Sequence, residues 1–186
     1  MAYAECGKEY TMNHKTVKMT AAVAAGAVLF FLTGRFVLIK ELAGAGDLSA
    51  QFAILAFLAA LSGPIPGALA GLAGQMLIDI SFGWGIWWDA ALAAACFGLL
   101  AGFFTRNLKL NKGQFGARSI AVFNAAVICA HAIAWGIICP ALKVLIYAQP
   151  AREAFRNGLA FGIVPIITTA LIGTILCMVY AGSQFS

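Results

Sequence analysis

The residues able to do chemistry in this 186-residue chain gather near the ends of its apolar runs. The stretch SFGWGIWWD places Trp84, Trp87 and Trp88 within five positions, with Asp89 next. Any single tryptophan reads plainly as an interfacial anchor. Three so close together, flanked by Gly83 and Gly85, are denser than anchoring requires. An aromatic wall with a few convergent polar groups is what a small-molecule pocket uses. The polar groups expected at the same level are Arg35, Lys40, Gln51, Asp79, Tyr147 and Arg152. With the three tryptophans they form the candidate substrate-binding set. Arg35 and Asp79 are expected to pair across the bundle, because an unpaired charge at that depth is costly.

His131 stands apart, in the middle of the apolar run CAHAIAWG. An ionisable residue at such a depth is a functional candidate by default. A neutral imidazole bonded to a backbone carbonyl is the competing reading. With no second His or carboxylate at helical spacing, no metal site is expected. The chain has no GxxxxGK[ST], no HExxH and no GxSxG. It therefore lacks a phosphate loop, a zinc-protease helix and a nucleophile elbow. No catalytic residue and no bound cofactor are assigned. The cysteines, Cys6, Cys96, Cys129, Cys139 and Cys177, form no CxxC and read as small apolar residues.

The elements that must position these side chains follow from composition. Hydrophobic residues make up 62% of the chain and charged residues 10%, with a mean hydropathy of +0.92. A soluble domain holds about 45–50% apolar and about 25% charged residues. A soluble enzyme, a disordered chain, a coiled coil and an ordinary nucleic-acid binder are excluded. An all-α membrane protein is expected, a bundle of six transmembrane helices. Apolar segments fall at residues 16–37, 50–61, 68–82, 88–104, 119–139 and 159–181. Gly63-Pro64-Ile65-Pro66-Gly67 forces a tight turn between the second and third. Pro140 is expected to kink the end of the fifth. Residues 1–15 form a polar tail, and 16–186 the membrane domain. No cleavable signal peptide is evident. Seven cations lie on the side of the N terminus against four on the other, which places both termini in the cytoplasm. The net charge of +5 is thus a topology signal, and no nucleic acid partner is expected.

Small residues pattern the helices. Ala21 with Ala25, and Ala22 with Gly26, form small-xxx-small pairs on the first segment. Such pairs let helices approach closely, inside a bundle or against a partner.

The run GPIPGALAGLAGQMLID, with Gly63, Pro64, Gly67, Gly71, Gly74 and Asp79, resembles substrate-binding S components of bacterial energy-coupling factor (ECF) vitamin transporters. AAVAAGAVLFFLTGRFV, WWDAALAAACFGLL and LIYAQPAREAF are similar to the subgroup proposed for cobalamin. Gln75 stands where a His is expected in that subgroup. The resemblance implies a six-helix, multi-pass subunit of the bacterial cell membrane that binds one vitamin with high affinity at its outer face. It also implies a transmembrane coupling protein and two cytoplasmic ATPases as partners, so the chain itself is no enzyme. Ala21, Ala22, Ala25 and Gly26 become the candidate docking surface for the coupling protein. The implied ligand is cobalamin or a related corrinoid. The alternatives are another vitamin, such as a thiamine precursor, a stand-alone intramembrane enzyme using His131 and Asp79, or a secondary carrier. The absence of an internal repeat speaks against the carrier.

Overall fold

The computed structural model describes residues 14–36, 50–83, 85–160 and 163–184. Lys40, Trp84 and residues 1–13 of the expected tail lie outside the described residues. Among the described residues the chain is helical, with no strand beyond one isolated bridge between Lys109 and Gln114. The helices are α1 (His14–Arg35), α2 (Gln51–Ser62), α3 (Pro64–Ser81) and α4 (Trp88–Thr105), then α5 (Ala117–Ile133), α6 (Cys139–Tyr147), α7 (Ala151–Ala160) and α8 (Ile163–Ser183).

Four stretches are long and apolar enough to cross a membrane: Thr16–Arg35, Trp88–Thr105, Ala117–Tyr147 and Pro165–Ser183. An all-α, multi-pass membrane protein follows. Six spans were expected. α2 has only 12 residues, and α3, with 18, carries the polar Gln75 and Asp79.

Three boundaries differ from the expected ones. α3 starts at Pro64, four residues before the expected start. Gly63, at φ 97°, makes the whole turn by itself, a conformation open to glycine. Pro64 then occupies the first helical position, where its missing N–H leaves nothing unpaired. The fifth segment runs past Pro140 to Tyr147. A π-helical turn over Ala134–Ile138 precedes the proline, and the Cys139 N–H bonds to the Ala134 carbonyl. That wider turn lets the chain carry Pro140 without ending the helix. Third, the expected loop before the last segment contains α7, where the Glu153 and Ala154 N–H groups bond to the Pro150 carbonyl.

α3 is the central element, flanked by α1 and α4. Its small residues set the spacing. A Cβ on Gly98 of α4 would collide with the Gly67 carbonyl of α3, and a Cβ on Gly71 would lie 2.5 Å from the Ala94 carbonyl oxygen. Aromatic rings fill the centre. Phe52 meets Phe30, Phe97, His131 and Trp135 edge-on, at centroid distances of 5.2–5.5 Å. Leu29, Leu32, Leu171, Ile175 and Val179 face outward, where lipid covers them.

Candidate functional site at the α3–α4–α6 end

The C-terminal ends of α1, α3 and α6 and the N-terminal ends of α2 and α4 share one end of the bundle. Asp79 organises its centre. It lies in the last turn of α3 and is 3% exposed. Its Oδ1 accepts from Gln75 Nε2 at 3.0 Å, one turn back. Its Oδ2 accepts from the Trp87 backbone N–H at 3.0 Å, across the turn into α4. Gly83 and Gly85, at φ 75° and 76°, supply the left-handed backbone that this short connection needs. Both carboxylate oxygens of Asp79 are thus engaged within the chain, fastening the turn that leads into Trp87 and Trp88. The expected Arg35–Asp79 pair does not form. The Arg35 guanidinium lies instead over the Phe82 ring, 4.3 Å from its centroid. Gln51 is close by, because a Cβ on Gly34 would strike its side chain and that of Ile78.

Asp89, fully buried in the first turn of α4, is the second anchor. Its Oδ2 pairs with Lys143 Nζ at 3.2 Å and accepts from the Cys139 thiol at 3.4 Å. Its Oδ1 has no partner. Lys143 Nζ also sits 5.6 Å from the centroid of the Trp87 ring. The Trp88 backbone N–H donates to the Tyr147 hydroxyl at 3.0 Å, and the Tyr147 ring lies 6.0 Å from the Trp87 ring. Trp87, Lys143, Tyr147 and Asp89 therefore form one assembly, with Trp87 and Trp88 42% and 45% exposed. Trp87 is the indole whose ring joins it. Arg152 is not among these contacts; with Pro150, Glu153 and Arg156 it bounds a cavity of about 300 Å³ at the start of α7.

Lys143 and Cys139 were not among the site residues expected from the sequence, Asp89 was noted only beside the tryptophans, and Gln75 only as standing where a His is expected. Cys139, Lys143 and Tyr147 recur every four residues, the spacing of one helix face. Ending the helix at residue 139 hid that pattern. Asp89, written beside the tryptophans, needed a cationic partner, and Lys143 on that face supplies it.

His131 is buried between Phe97 and Phe52, at 4.4 and 5.5 Å. Its Nδ1 lies 3.0 Å from the Val127 carbonyl. A carbonyl only accepts, so Nδ1 carries the proton and Nε2 is an acceptor, without a partner here. From Trp87, which Asp79 holds, to Phe97, which touches His131, is about 15 Å along α4. The two side chains therefore do not form a joint centre. Among the described residues no three His, Cys, Asp or Glu side chains gather as metal ligands.

The small-residue pairs of α1 divide. Ala21 and Ala25 are exposed on its outer side. Ala22 is half-buried, and Gly26 is buried against Ala70 and Leu58.

A family model described as "ECF-type riboflavin transporter, S component" matches residues 14–182. The chain is also similar to a UPF0397 protein of Streptococcus pneumoniae (strain Taiwan19F-14), at 34% identity over 169 residues. A UPF0397 protein of Staphylococcus aureus (strain Newman) shares the same identity over the same length. Each alignment covers 91% of this chain and 92% of the relative. These likenesses support the S-component resemblance and do not support the cobalamin-type subgroup.

Proposed function

The chain belongs to the ECF-type riboflavin transporter, S component family, and we propose that it captures riboflavin, or a vitamin of the same flat fused-ring kind, at the α3–α4–α6 end. An S component is a membrane transport subunit and not an enzyme. The observation that carries the ligand reading is the assembly of Trp87, Tyr147 and Lys143 around buried Asp89. The exposed indoles offer faces for a conjugated ring. Arg35 and Gln51 stand at the same end to meet polar substituents.

The energy for uptake comes from a coupling protein and two ATPases. That fits a chain with no phosphate loop of its own. Six spans with both termini in the cytoplasm accord with the excess of cations on the terminal side. The bacterial cell membrane is the setting, as for relatives from Streptococcus and Staphylococcus.

A corrinoid such as cobalamin is the second reading. Its phosphate suits the cavity bounded by Arg152 and Arg156. A vitamin panel with thermal unfolding in detergent separates the two, since a ligand that binds only the folded state raises its stability. Riboflavin should raise the Tm of the parent. Trp87→Ala should weaken riboflavin binding by about 2 kcal/mol, some 30-fold. Stabilisation by cobalamin alone would transfer the assignment to the second reading, and an unresponsive panel would overturn both.

A further inference from the structure

Negative charge is segregated along the bundle. Among the described residues, the carboxylates Asp79, Asp89 and Glu153 all belong to the end that carries the candidate site or to α7 beside it. The opposite end carries Lys18, Arg106, Lys109, Lys112 and Arg118, all exposed, and no described carboxylate.

Arg106, Lys109 and Lys112 stand on the connection from α4 to α5, with Arg118 in the first turn of α5, and the connection's backbone is firmly built. The Leu108, Lys112, Gly113 and Gln114 N–H groups bond to the carbonyls of Thr105, Lys109, Leu110 and Lys109, at 2.8–3.2 Å. Leu110 is buried in the core, and Gly113 takes the left-handed turn at φ 72°. The Tyr180 hydroxyl of α8 donates to Asn111 Oδ1 at 2.8 Å. A fixed scaffold thus displays a set of cations with no carboxylate beside them among the described residues.

Two further features identify what this surface meets. Phe103 and Phe104, in the last turn of α4, are exposed on the lipid-facing side of an apolar span. The Arg106 guanidinium lies over the Phe103 ring, 4.4 Å from its centroid. A cation held on a lipid-facing ring at a helix end sits where hydrocarbon gives way to headgroups. Next, α5 begins at Ala117 with no side-chain cap and no acidic residue in its first turn, and Arg118 is its second residue. Open N–H groups and a cation at a helix N-terminus are both unfavourable alone, and an anion placed there relieves both.

We propose that the α4–α5 connection is a binding surface for the phosphate headgroups of anionic phospholipids. Arg106 and Arg118, with the first-turn N–H groups of α5, make the short-range contacts. Lys109 and Lys112 add attraction that acts within a Debye length of the membrane. The proposal requires only that the chain spans a membrane, and it is independent of the vitamin.

The full chain, delipidated in neutral detergent, is titrated with phosphatidylglycerol, phosphatidylcholine or inorganic phosphate. Bound lipid is read by native mass spectrometry and stability by thermal unfolding. Phosphatidylglycerol should be retained in preference to phosphatidylcholine, less so as salt rises. R106Q/R118Q should lower its affinity by about tenfold or more, while R152Q/R156Q, away from this end, keeps it. Gel filtration and a cooperative thermal transition confirm that the variants fold. Where R106Q/R118Q does not fold, R106Q and R118Q singly should each show part of the loss. Equal retention of the two lipids overturns the proposal. So does a preference that survives R106Q/R118Q, or stabilisation by inorganic phosphate to the same extent.

Discussion

Asp89 and Lys143 depend on each other more than on solvent. The carboxylate is fully buried, and its charged contact is the ammonium at 3.2 Å. Removing only the cation leaves a buried charge without compensation, the most damaging way to break such a pair. Lys143→Met should therefore destabilise the protein by about 3 kcal/mol, the low end for breaking a buried pair, because Lys143 keeps some access to water. Asp89→Asn combined with Lys143→Met should recover most of that loss. Thermal unfolding of the single and double variants in one detergent checks this. If the double variant is no more stable than Lys143→Met, the pair is incidental to the fold. Asp79 acts differently, because its oxygens accept from a side-chain amide and a backbone N–H. It holds the turn into Trp87 and Trp88 in place, whereas Asp89 holds α6 to α4.

The continuous helix from Ala117 to Tyr147 owes its alignment to its π-helical turn. His131 and Cys139 are eight residues apart and both face α4, on Phe97 and Asp89. In a regular α-helix that spacing leaves the two about 80° apart. One residue absorbed in the wider turn takes back about 100°, which brings them within about 20° of one face. Deletion should then depend on where it is made. Removing Ile137 from the π turn, with Pro140→Ala to remove the ring clash, leaves a regular helix with the same facing residues. It should keep vitamin binding and most of the stability. Removing Ile128, equally exposed but in regular α-helix, rotates everything on one side of it by about 100°. That variant should lose the Asp89–Lys143 pair and ligand binding together. Vitamin titration and melting of the two deletions decide the point, and equal outcomes would refute the alignment role.

At the scale of the whole molecule, α1 presents two surfaces with different uses. Gly26 is buried where α1 meets Ala70 and Leu58, so its small size serves the bundle itself. Ala25 is exposed beside Val28, Leu29 and Leu32, so its small size is open to an approaching helix. Gly26→Trp should fail to fold or melt far below the parent. Ala25→Trp should fold and bind vitamin normally while losing ATP-dependent uptake with the coupling protein and ATPases. Binding and uptake measured on the same preparation separate the two. Normal uptake by Ala25→Trp would remove this surface from docking.

Composition and the apolar runs determined an all-helical membrane protein, because a chain 62% hydrophobic must bury its backbone polar groups in helices when it enters lipid. The spacing of the tryptophans marked the end of the bundle that holds the candidate site. The glycine-rich run after Gly63 marked the helix that its neighbours approach most closely. Those signals are local, carried by residue type and by distances of a few positions. The partner of each charge was settled only in three dimensions. Asp79 and Arg35 had opposite signs and a common level, yet a backbone N–H and a glutamine reached the carboxylate instead. Asp89 met Lys143, 54 positions along the chain, because a single π turn decided which face of the long helix turns toward α4.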